Sequence, residues 1–196
     1  VTARNIVIAV GGRPKPLPKC EGAHHAIDSD DIFSLRGSPG KTLCIGASYV
    51  ALECAGFLTG LGYDTTVMVR SILLRGFDQD CANRICAFMQ YTGTKFIRSA
   101  TPTRIEKLPD GRFRVHWRNA NPDGKPGVPP GSDGSEIYDT VFSAIGRTPD
   151  TRGLNLQAAG VEVNDWGTFP GNVRKGERET TNVPHMYVWL WSTRID

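Results

Sequence analysis

Residues 41–75, KTLCIGASYVALECAGFLTGLGYDTTVMVRSILLR, leave few folds open to this chain. Thr42 to Ile45 is a β-rich run, and Gly46 supplies a tight turn after it. From about Ser48 to Leu61, apolar residues recur at 50, 51, 54, 57, 58 and 61, the spacing of one helical face. Gly60 and Gly62 end that helix. Thr65 to Val69 is β-branched and largely apolar, as a strand buried on both faces must be. Strand, glycine turn, helix and strand in that order form a βαβ unit, which commits the chain to a parallel sheet. The pattern continues with a second helix from about Gln79 to Tyr91, with Ala82, Ile85, Cys86 and Met89 on one side. Lys95 to Arg98 then reads as a third strand.

The turn of such a unit is a phosphate seat, because helix-terminal N–H groups point out of it and glycine leaves room. The dinucleotide fingerprint is G-x-G-x-x-G/A. Here it is Gly46-Ala47-Ser48-Tyr49-Val50-Ala51, with serine in place of the second glycine. The Ser48 hydroxyl is small enough to cap the helix or to donate to a phosphate. The end of the second strand selects the cofactor. An NAD site carries Asp or Glu about 20 residues after the glycines. This chain carries Val69-Arg70-Ser71 there, and Arg75 follows. A carboxylate repels a 2′-phosphate, whereas guanidinium groups grip it through charge-assisted hydrogen bonds. The reading is therefore NADP(H). Tyr49 and Glu53 stand four apart on one side of the helix, either edging it at the surface or facing a redox centre.

Around this unit the pattern changes. Asn5 to Val10 reads as a buried strand, and Lys15 to Gly40 as loop with a short helix capped by Ser29-Asp30-Asp31. Thr103 to Leu108 and Phe113 to Arg118 alternate as an antiparallel hairpin about Pro109-Asp110-Gly111. Asn119 to Ser135 holds four prolines and four glycines and reads as a flexible surface insertion. Glu136 to Ile145 reads as one further strand. The segments AVGGRP (9–14) and AIGRTP (144–149) echo each other, as if two sheets each presented a last strand to a ligand.

Composition excludes several classes. A net charge of +3 in 196 residues, with scattered basic residues, gives no nucleic-acid footprint. No apolar run approaches the roughly 18 residues of a membrane span. The five cysteines are odd in number and dispersed among apolar positions, which fits reduced thiols and a cytoplasmic protein. Cys81 and Cys86 cannot share a helical face and read as core packing. His24-His25 and the Asp28, Asp30, Asp31 group lack the partners of a metal site.

The runs GASYVALE and VRSILLRGFDQD, together with AVGGRP, SDDIFSL, KFIRS, AIGRTPDT and TNVPHMY, resemble high-molecular-weight thioredoxin reductases. These belong, with glutathione reductase, to the pyridine nucleotide–disulfide oxidoreductases. The resemblance covers nearly all of the chain up to Tyr187. It implies an α/β fold in which a Rossmann-like NADPH-binding domain with an antiparallel β-meander is flanked by partial FAD-domain segments. Residues 1–40 would end the first FAD segment and link it onward, 41–146 would bind NADPH, 147–187 would begin the second FAD segment, and 188–196 would be an atypical tail.

The resemblance also implies roles. Gly46, Ala47, Ser48, Tyr49, Val50, Ala51, Leu52 and Glu53 would wrap the pyrophosphate and nicotinamide half of NADPH. Arg70, Ser71 and Arg75 would hold its 2′-phosphate. Tyr49 would cover the flavin, with Glu53 nearby and paired to a lysine outside this chain. Ala144, Ile145 and Gly146 would lie along NADPH, with Lys15 approaching from its loop. Arg147, Val10 and Gly11 would lie on the FAD side. In the full enzyme, hydride would pass from NADPH to FAD, and electrons onward to a dithiol and thioredoxin, within a homodimer. The family's FAD fingerprint, active dithiol, dimer domain and redox tail are not in this sequence, so the chain alone is expected to be inactive. Glutathione reductase and a non-catalytic NADP(H)-binding module are the alternatives.

Overall fold

A computed structural model describes residues 2–164, 169 and 179–188. The expected tail at 188–196 lies outside the described residues apart from Val188. The chain divides into two compact units, one of residues 14–146 and one of residues 1–13 with 147–196. In chain order the strands and helices are β1 (Ile6–Ile8), β2 (Gly12–Pro14), β3 (Thr42–Ile45), α1 (Tyr49–Gly60), β4 (Thr65–Val69), α2 (Gln79–Tyr91) and β5 (Lys95–Arg98). There follow β6 (Ala100–Lys107), β7 (Phe113–Asn119), β8 (Gly134–Tyr138), β9 (Thr140–Ser143), β10 (Arg147–Pro149) and β11 (Met186–Val188).

The unit 14–146 is built in three layers. Its middle is a parallel sheet in the order β5-β4-β3-β9. Every residue of β3 and β4 is buried, because both faces are covered. Cys44, Val67, Val69 and Phe142 pack against Ala51, Leu52, Cys54, Ala55 and Leu58 of α1 and Ala82, Cys86 and Met89 of α2. Leu43, Ile45, Met68 and Val141 point the other way, onto Ala100, Ile105, Val115 and Tyr138. That second layer is the antiparallel sheet β6-β7-β8. Strand alternation thus divides one sheet between two cores.

Several expectations needed correction. Glu136 to Ile145 is two strands: β8 pairs with β7, then β9 joins the parallel sheet beside β3. The corner is Asp139, whose N–H donates to Lys41 O at 2.8 Å while its carboxylate accepts from Lys41 N at 2.7 Å. Leu61, placed on the apolar face of α1, caps that helix and is 72% exposed, while Leu52 and Ala55 are buried. Ile85 lies off the buried stripe of α2. The insertion is pinned. Asn121 is buried, its amide donates to Val128 O and accepts from Lys125 N, and Ser99 Oγ donates to Pro129 O.

In the other unit, β1 is shorter than expected and only Ile8 of it is buried. It pairs in parallel with β11, so Val188 completes a strand beside Ile8. The echoed segments supply β2 and β10, which pair with each other in one two-stranded sheet. Among the described residues no helix is long and apolar enough to cross a membrane.

Candidate functional site

The parallel sheet runs outward from β3 in both directions, to β4 and β5 on one side and to β9 on the other. Such a reversal opens a crevice beyond the carboxyl ends of the two strands, where ligands of open α/β sheets bind. The Gly46 turn sits there. Gly46 holds φ +131, and a Cβ at this position would stand 2.4 Å from Ala144 O. Only glycine permits that approach between the ends of β3 and β9. Ser48 precedes α1 with extended backbone, yet its hydroxyl caps nothing. It donates instead to Ala144 O at 3.2 Å, tying β9 to the start of the helix. This corrects the expectation that the hydroxyl caps the helix. The first turn of α1 carries no acidic residue, so its N–H groups and the positive end of the helix dipole meet no carboxylate there. Ala51 and Leu52 are buried in the core, so only their backbone can serve a ligand.

The end of β4 leads into a bend that carries Arg70, Ser71 and Arg75. Arg75 Nη2 donates to Ser71 Oγ at 2.8 Å. Both arginines are exposed, and neither forms an ion pair among the described residues. The bend is held from three sides. Leu73 and Leu74 are buried in the helical core. Leu74 N donates to Ala47 O at 2.8 Å, joining the bend to the glycine turn. The Gln79 amide donates to the carbonyls of Leu73, Leu74 and Phe77. Leu74 and Gln79 escaped sequence reading because Leu74 acts through its backbone N–H and the Gln79 amide bonds only to backbone carbonyls, so neither role leaves a side-chain pattern.

Ala144, Ile145 and Gly146 continue from β9 along the same edge. Gly146 has φ +123 and lies against the Lys15 stem, whose backbone N–H donates to Gly146 O at 2.9 Å. The structure therefore brings Lys15 to the end of β9. Tyr49 is 40% exposed at the first turn of α1, and Glu53 is exposed one turn on, without an ion pair among the described residues. Val10, Gly11 and Arg147 belong to the other unit. Gly11 has φ +64 with open space where a side chain would stand, and the Arg147 guanidinium donates to Gly12 O.

The thiols offer no dithiol. All five cysteines are free. Cys86 is buried, and burial raises its pKa above the ordinary value despite the Arg98 guanidinium at 2.7 Å. Cys81, expected in the core, is exposed, and its hydrogen bond to the Asp78 carboxylate raises its pKa. Neither is poised as a thiolate. Among the described residues no group of His, Cys, Asp or Glu is assembled for a metal.

Comparison with known proteins identifies the family. The sequence profile of the pyridine nucleotide-disulphide oxidoreductases matches residues 1–189. Thioredoxin reductase SEP1 of Emiliania huxleyi is 48% identical over 188 residues, covering 95% of this chain and 35% of that protein. Thioredoxin reductase 2, mitochondrial, of Drosophila melanogaster is 45% identical over 188 residues, covering 95% of this chain and 34% of that protein. The chain thus spans about a third of the length of these relatives.

Proposed function

The chain belongs to the pyridine nucleotide-disulphide oxidoreductase family, and from that premise we propose that its unit 14–146 is the NADPH-binding part of a flavin-dependent thioredoxin-disulfide reductase. The observation that carries this reading is the pair Arg70 and Arg75 after the end of β4, both exposed and unmatched by acid among the described residues, with Arg75 bonded to Ser71. A dianionic 2′-phosphate satisfies both guanidiniums, and a bare ribose hydroxyl satisfies neither.

Each residue then has a task. Gly46 leaves space for the pyrophosphate, and the first N–H groups of α1 donate to it. Arg70, Ser71 and Arg75 hold the 2′-phosphate. Ala144 to Gly146 and Lys15 border the nicotinamide half. Tyr49 stands over the redox face as a movable cover, with Glu53 one turn behind it. Bound FAD would supply the hydride acceptor. Val10, Gly11 and Arg147 offer contacts to it but no glycine cradle, so the chain's own work is to bind and orient the donor. In the longer enzyme, thioredoxin as substrate and a homodimer partner complete the proposal. The five free thiols suit a reducing compartment such as the cytoplasm.

Calorimetric titration with NADPH and NADH tests the assignment. NADPH binds more tightly, and Arg70→Ala or Arg75→Ala weakens it about 10- to 150-fold, the loss of one charged hydrogen-bonding group. NADH binding changes little in either variant. Equal affinity for the two nucleotides in the unaltered chain overturns the reading.

A further inference from the structure

The hydroxyl of Ser71 accepts from the Arg75 guanidinium, the residue before it is the exposed Arg70, and no carboxylate pairs with either arginine among the described residues. Arg70 adjoins it in sequence, and Arg75 already points a donor at its oxygen from 2.8 Å. Ser71 is only half-buried, and it lies outside regular secondary structure in the stretch between β4 and α2. The stretch keeps its shape through bonds that leave the serine oxygen out: Leu74 N to Ala47 O, and the Gln79 amide to three carbonyls. A new group on that oxygen therefore meets a preformed basic seat without dismantling the bend.

We propose that Ser71 is a phosphorylation site, and that its phosphate takes the place of the nucleotide's own 2′-phosphate. The inference rests on the NADPH reading above. A protein kinase transfers the γ-phosphoryl group of ATP: a bond forms from phosphorus to Ser71 Oγ, the bond from phosphorus to the β-bridging oxygen breaks, ADP leaves, and the hydroxyl proton passes to the kinase's base. The product carries about −1.5 to −2 charges and three acceptor oxygens. Placed against paired guanidiniums, such a group forms charge-assisted hydrogen bonds. Arg70 and Arg75 are then occupied from within the chain. An incoming 2′-phosphate meets a like charge where it needs two unlike ones, whereas NADH brings no phosphate to that seat. Phosphorylation thus removes the cofactor preference rather than the dinucleotide fold.

The chain with phosphoserine incorporated at position 71 by genetic encoding is titrated with NADPH and with NADH, beside the unmodified chain and Ser71→Ala. NADPH affinity falls roughly 100-fold, the scale of two lost charge-assisted hydrogen bonds, to the level of NADH. NADH affinity stays within about 5-fold, which also shows that the modified chain is folded. Ser71→Ala loses one hydroxyl contact, about 10-fold at most, and keeps its preference for NADPH. If the unmodified chain prefers NADPH and phosphoserine leaves that preference intact, the inference is overturned and the site survives. If the unmodified chain shows no preference, the site reading falls and the inference falls with it. In protein isolated from its own cells with phosphatases inhibited, mass spectrometry detects phosphate on the peptide bearing Ser71; its complete absence there also overturns the proposal.

Discussion

The two edges of the parallel sheet treat charge in opposite ways. At the amino edge, the residues entering β5, β4, β3 and β9 are Lys95, Asp64, Lys41 and Asp139, so the signs alternate across the sheet. They are also matched. Lys95 meets Asp64 at 2.8 Å, the Asp139 carboxylate accepts from Lys41 N, and Lys41 Nζ meets Glu136 at 2.6 Å. At the carboxyl edge the same four strands end on or lead into Arg98, Arg70, Gly46 and Ala144. Two of these are cations, and no carboxylate pairs with either among the described residues. One edge is finished within the protein. The other has a helix terminus and guanidiniums without a carboxylate partner among the described residues, and such a surplus of positive charge is what an anionic ligand would complete.

Gly46→Ala strikes the carboxyl edge hardest. A methyl group at φ +131 and 2.4 Å from Ala144 O forces the ends of β3 and β9 apart. Urea unfolding is expected to show a loss of about 1–3 kcal/mol, the scale of forced backbone strain. Dinucleotide affinity falls with it in calorimetry. Full retention of both would mean that the two edges differ less than the geometry states.

Tyr138→Phe probes the amino edge. Tyr138 is fully buried, and its hydroxyl donates to Glu136 Oε2 at 2.7 Å. Burial alone would raise the Glu136 pKa, but hydrogen bonds from Lys41 and Tyr138 outweigh it and hold the carboxyl below its ordinary value. A depressed carboxyl contributes stability above its unfolded pKa and loses it as pH falls through the folded one. The substitution should therefore cost about 0.5–1.5 kcal/mol near neutrality. The gap to the parent protein should narrow on acidification, measured by denaturant titration from pH 7 down to about 3, below the ordinary glutamate value. NADPH affinity should not move.

Lys95→Met gives the smallest effect. Its pair with Asp64 is well exposed, at 61% and 42% of the two side chains, so its removal costs about 0.2–1 kcal/mol and less at high salt. A large loss of NADPH affinity in this variant would erase the distinction between the edges.

Much of the carboxyl edge was legible in the sequence because the physics there is local. The bounds of β3, β4, α2 and β5 follow from period and composition over a few residues. Arg70, Ser71 and Arg75 fell at the spacing a second strand dictates. The amino edge was not legible. Glu136 to Ile145 shows one continuous β-prone pattern, and the corner at Asp139 exists only because Lys41, 98 residues earlier, bonds to it. Similarly, GGRP and GRTP look like loop until each meets the other as β2 and β10. The Ser48 hydroxyl went to Ala144 rather than to the helix because β9 arrives beside it, and nothing near residue 48 announces that arrival.

The pairing of β3 with β9 joins Thr42 to Thr140, Leu43 to Val141, Cys44 to Phe142 and Ile45 to Ser143. On a ribosome, β3, β4 and β5 emerge well before their last partner. At about 5–20 residues per second, the free edge of β3 waits on the order of 5–20 s for it. Non-local pairings of this kind are the slow steps of folding, and an apolar strand left unpaired is a template for the wrong neighbour. The crevice beside Gly46 does not exist until β9 docks. A nascent chain that stops short of residue 143 can fold its helices and still lack the crevice proposed to receive a dinucleotide.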